Sequence, residues 1–189
     1  MAITRLSAPL AAVLTLEEVK RHLRIEHDDD DAYLADLIAQ SADHLESVSG
    51  LRLLTQTWRQ YLDAMPQSRS IRLAVQPVQS IAAMQAYDEA GNPQAVSPAS
   101  LELDAVSSPP RLVVHEAVQT AKAVNGIEID IVAGFGDTPA DVPDSLRRAL
   151  LLLVAHAYEF RGAVPVDQQP ASEPQGFRTL IAPFRRVGL

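Results

Sequence analysis

The chain has 189 residues, of which 47% are apolar and 21% charged, with a formal net charge of −8. This is ordinary globular composition and excludes wholesale disorder. The acidic balance argues against nucleic-acid binding by counterion release, which needs clustered Lys and Arg, and the absence of cysteine excludes disulfides and thiolate metal sites.

The opening stretch, MAITRLSAPLAAVLTLEEV, offers no convincing apolar h-region or cleavage site, with Pro9, Glu17 and Glu18 in the way, so a cytosolic product is expected. Thr15-Leu16-Glu17-Glu18 has the pattern of a capping box and predicts a short helix with Leu16, Val19 and Leu23 on one face, ending near Ile25 and His27. A second helix follows the acidic run Asp28 to Asp31. Its stripe is Leu34, Leu37, Ile38, Leu45 and Val48, and Gly50 is its expected stop.

Beyond Gly50 the period shortens. Thr57–Leu62, Ser70–Val75, Ile81–Tyr87, Leu101–Val106, Arg111–His115 and Ile127–Ala133 read as strands separated by Pro and Gly punctuation, together an antiparallel sheet. Asn125-Gly126, between Val124 and Ile127, is the best hairpin candidate. A third helix is expected from Pro143, at the first helical position, to Arg161-Gly162, with Leu146, Ala149, Leu150, Leu153, Ala157 and Phe160 as its stripe. Leu151, Leu152 and Val154 lie off that stripe, which makes the helix apolar beyond what one core requires. The longest apolar run, Ala149 to Ala155, is far short of the roughly 20 residues that cross a bilayer. VPVDQQPASEPQG then reads as a linker, and Phe177, Leu180, Ile181 and Phe184 give a brief helical spacing.

The expected architecture is α+β: a small bundle of three main helices carrying an inserted antiparallel β-rich subdomain and an extended C-terminal tail. Its parts are an N-terminal helical segment (1–55), the β-rich insertion (56–133), the third helix (134–162) and the linker with its tail (163–189).

No catalytic constellation is legible. His22, His27, His44, His115 and His156 stand in no HExxH or HxH pattern, and Asp28–Asp31 lacks EF-hand spacing, so no metal site is expected. Gly134-Phe135-Gly136 lies between a strand and a helix but matches neither phosphate-loop motif, and Asp137 and Asp141 would repel a phosphate; it reads as a tight turn. Ser41 and Ser145 lack a nucleophile elbow, and Trp58, Arg59 and Tyr61 alternate as a sheet does, in acidic surroundings. Two features suit surfaces that meet other chains: the over-apolar third helix and the tail. From residue 171 onward Glu173 faces Arg178, Arg185 and Arg186, a net +2 against −10 for the remainder.

The joint order of these features carries a resemblance. LT-x-EE, then HLR, an acidic stretch opening a long helix, AGFGD before PDSLR, YE-x-RG, and a final LIAPFRR together resemble the head–tail connector, or adaptor, proteins of long-tailed bacteriophages and gene transfer agents, from about Leu14 to Arg186. The resemblance implies a structural protein without enzymatic activity or cofactor, located at the head–tail junction of the particle. It implies a ring of about twelve copies beneath the portal protein, extending the DNA channel and offering a docking surface to stopper or tail proteins. DNA would only pass through, past an acidic wall that repels its phosphates. In that setting Phe177, Arg178, Leu180, Ile181, Phe184, Arg185 and Arg186 would reach from the body to hold the portal. Leu151, Leu152 and Val154 would face ring neighbours. The second reading is a monomeric α+β ligand-binding or enzymatic domain whose site the sequence does not display.

Overall fold

The computed structural model describes residues 2–160 and 173–184. The chain divides into two compact units, one formed by Met1–Pro9 with Thr55–Phe135 and the other by Leu10–Leu54 with Gly136–Leu189. The division is α+β, as expected, with antiparallel sheets in the first unit and helices in the second.

In the β unit, β1 (Ala2–Ser7), β2 (Gln56–Leu62), β8 (Ile127–Ala133), β4 (Val78–Tyr87) and β5 (Pro93–Ala95) lie side by side in that order, and β3 (Ser70–Arg72), β7 (Arg111–Val114) and β6 (Leu101–Asp104) form a second sheet. Strand β8 explains why the sheet holds. Its β-branched residues alternate, so Ile127, Ile129, Ile131 and Ala133 are fully buried while Glu128, Asp130 and Val132 take the other face. Burying such an Ile contributes about 1.5–3 kcal/mol, and here they join Ile71, Leu73, Met84, Leu112 and Val114 in one core. Gln60 sits in that core without solvent exposure, yet its amide is satisfied: Nε2 donates to the Arg72 carbonyl at 2.9 Å and Oε1 accepts from the Ala74 amide at 2.8 Å. On the opposite face Arg59 donates two hydrogen bonds to Asp130, at 2.6 and 2.9 Å, and lies 2.8 Å from Glu128.

Three expectations are corrected in this unit. The N-terminal residues contribute the edge strand β1, and so belong with the sheet instead of the helical part. A short strand, β5, follows the Gly91-Asn92 turn. Asn125-Gly126 closes no hairpin: residues 115–126 are irregular, Asn125 takes the left-handed φ of 52°, and β8 pairs with the distant β2 and β4.

The helical unit contains α1 (Leu16–Leu23), α2 (Asp31–Ser49), α3 (Asp144–Glu159) and the short α4 (Phe177–Ile181). The Thr15 capping box forms, and Gly50 ends α2 with φ 75°. Helix α3 starts one residue later than expected, with the Pro143 carbonyl accepting from the Leu146 and Arg147 amides, and it closes at Glu159. Val19, Leu34, Leu45, Leu146, Ala149 and Val154 are completely buried. None of the described helices is long and apolar enough to cross a membrane.

Candidate assembly surfaces

Helix α3 is held in place by polar ties at both ends. Near its start, Arg147 is hydrogen-bonded to Glu18, the residue whose other carboxylate oxygen accepts from the Thr15 amide at 2.8 Å. One carboxylate therefore caps α1 and clamps α3. The Thr15 amide, then the Thr15 hydroxyl and Arg147, hold Glu18 below the ordinary carboxylate range against the upward push of burial. Near its end, Tyr158 donates to Asp30 at 2.6 Å, fixing α3 to the start of α2. Between α1 and α2, Lys20 spans Asp28 at 2.5 Å and Asp31 at 2.8 Å. The acidic run Asp28–Asp31 thus braces helices, and among the described residues no group of three or more His, Asp or Glu is placed to hold a metal ion.

The glycine turn before α3 is structural. Gly134 has φ 142°, open to glycine, and donates to the Pro77 carbonyl at 2.9 Å. A Cβ on Gly136 would come within 2.4 Å of the Asp141 side chain, which itself caps Thr138. The space a phosphate would need is filled by a carboxylate.

The off-stripe residues of α3 separate into two kinds. Val154 is fully buried among the helices of its own unit, so it has no surface to offer a neighbour; the expectation of an intersubunit role for it is corrected here. Its position, one turn beyond Leu150, continues the buried face of the helix. Leu151 and Leu152 remain half-buried, and with half-buried Ala155 and exposed Arg148 they make the outward face. Phe160, expected on the core stripe, leaves the helix as its C-cap, is 42% exposed, and stacks at 5.0 Å from His156.

The tail also divides. Phe177 is fully buried and Ile181 nearly so; α4 packs on α3, and the Phe177 ring lies 6.0 Å from that of His44 on α2. These two residues anchor the segment on its own body, contrary to the expectation that they reach away from it. The reason is the Phe–Ile pair at i and i+4, which gives even a five-residue helix one apolar side. Arg178 is exposed and bonded to Glu173 at 2.6 Å, and Leu180 and Phe184 are half-buried. Burial pushes the Glu173 carboxyl up, but Arg178 and His44 outweigh it and hold it below its ordinary range. Arg185, Arg186 and the linker from 163 to 172 lie outside the described residues.

One feature escapes periodicity altogether. Between α2 and α3 runs a shallow groove of about 230 Å³, floored by Leu37, Leu153 and Ala157 and edged by Gln40, His44 and His156. Leu37, Leu153 and Ala157 all lie on the apolar stripes of their helices, which gives no sign that a groove stays open between them.

An outward apolar ridge beside a docked tail belongs to the class of surface that meets other chains. The comparisons specify the class further. The family model of the phage gp6-like head-tail connector protein matches residues 13–104. Over its whole length the chain is similar to a chain from the virion of a native gene transfer agent particle, with 25% identity and a TM-score of 0.85, covering 97% of that chain. It is likewise similar to chains from the neck of an empty particle with C6 symmetry (24% identity, TM-score 0.85) and from the neck of a native particle with C12 symmetry (25%, 0.81), each covering 100% of this chain and 97% of the other. No curated protein sequence matches. The resemblance drawn from the sequence motifs is borne out: the chain is similar to head–tail connector proteins over residues 13–104 and, along its length, to chains of gene transfer agent particles.

Proposed function

We propose that this chain forms a ring in the neck of a gene transfer agent or phage particle, beneath the portal, where it lengthens the DNA channel and offers a docking surface to stopper or tail proteins. The observation that carries this reading is the similarity along the full chain to proteins of the gene transfer agent neck, together with a connector-family match over residues 13–104. That similar chains come from necks computed with C6 and with C12 symmetry supports a ring, for which we take about twelve copies. The net charge of −8 suits a channel through which DNA slides without sticking. The work is mechanical and needs no covalent chemistry.

Portal contact falls to the outer side of the tail. Arg178, Leu180 and Phe184 retain surface and the sequence continues with Arg185 and Arg186, while Phe177 and Ile181 serve as anchors. Ring contact falls to Leu151 and Leu152. The test is to mix the purified chain with the portal protein of the same particle and measure mass in solution: a complex carrying a full ring is expected, and a strict monomer that never joins the portal would refute the reading.

A further inference from the structure

Leu151 and Leu152 supply only one half of a ring contact. A closed cyclic assembly is heterologous, so the patch each subunit presents must meet a different patch on the next. Helix α3 borders two such patches. At about 100° per residue, the outward ridge of Arg148, Leu151, Leu152 and Ala155 lies roughly 140° around the axis from Leu153, His156 and Ala157, which line the groove shared with α2. The groove's apolar floor is Leu37, Leu153 and Ala157. Its volume of about 230 Å³ falls below the roughly 300–1,000 Å³ of small-molecule pockets and suits inserted side chains. Charge is complementary as well. The α2 side of the groove carries exposed Asp36 and Asp43 flanking Gln40, while the ridge carries exposed Arg148, which has no ion pair among the described residues.

We infer that the α2–α3 groove receives the Leu151–Leu152 ridge of the adjoining copy, with Arg148 of one subunit facing the acidic α2 rim of the next. Ridge and groove are centred on different faces of one helix, so the contact repeats head to tail and hands the same groove onward at every step. This rests on the ring reading above and names the surface that completes it.

The chain has no cysteine, so an engineered pair gives an unambiguous readout. In rings assembled on the portal, a Leu152→Cys, Gln40→Cys double variant should oxidise to a ladder of covalent oligomers on a non-reducing gel, absent from either single variant. Rings of wild-type yield with only a monomer band would overturn the inference and leave the ring reading standing. Covalent dimers from Gln40→Cys alone would also overturn it, since they require a two-fold contact. If the wild-type chain forms no ring on the portal, it is the ring reading that fails. A second variant guards against a double mutant that does not assemble. Ala157→Arg, at a half-buried groove position, should give a folded monomer whose ring yield drops at least tenfold, and rings at wild-type yield would again overturn the assignment.

Discussion

Glu18 and Phe177 show how much of this fold depends on single side chains. Glu18 serves two elements at once, so Glu18→Ala removes a helix cap and the Arg147 tie together and should lower stability by about 1–2 kcal/mol in urea unfolding. The pH dependence has a definite sign. The Glu18 carboxyl is held below its ordinary value of 4.5 in the fold, so its contribution is complete above that pH and is lost as pH falls below it. Wild type should therefore lose more stability than Glu18→Gln between pH 5 and pH 3, roughly, and equal losses in parallel urea titrations would contradict the role given to this carboxylate. Phe177→Ala should cost about 3–5 kcal/mol, since the ring is wholly buried and leaves a cavity. Arg178→Ala, at an exposed pair, should change the urea midpoint little.

At the scale of elements, α3 and α4, to which the proposed function assigns ring and portal contact, were legible to different degrees. Leu146→Ala should unfold the helical unit more readily, with a loss of about 2–5 kcal/mol, whereas Leu152→Glu should leave the urea midpoint nearly unchanged and block ring formation, measured by mass with portal present. Deleting residues 173–189 should destabilise the body, because Phe177 and Ile181 go with it. The helices were readable because a 3.6-residue stripe, the Thr15 box and Gly50 are local signals. The interior strand β8 was readable from its strict alternation. The edge strand β1 was not: AITRLS is exposed at all but one position, and its partner β2 lies some fifty residues away, so nothing local marks it. Asn125-Gly126 misled for the same reason, since β8 finds its neighbours at long range and not across the turn. Periodicity showed that Leu151, Leu152 and Val154 leave the main stripe. Which of them stays outside depends on how the other helices pack on α3, and the sequence does not display that.

For the whole molecule, the account is that fold and charge serve assembly. The helical unit supplies a ridge, a groove and an anchored tail, and on the proposed function the acidic chain would let DNA pass without sticking. The apolar residues of α3 and the tail were legible in the sequence; the groove between α2 and α3 and the inward Phe177 arise from tertiary packing. The most direct test is a cryo-electron reconstruction of the neck in particles containing this chain. The account predicts a ring of about twelve copies against the portal, with α3 of each copy meeting the next through Leu151 and Leu152 and the outer side of the tail touching the portal. A neck in which this chain is absent from the portal-facing ring, or is present as isolated copies without contact between their α3 helices, would contradict it.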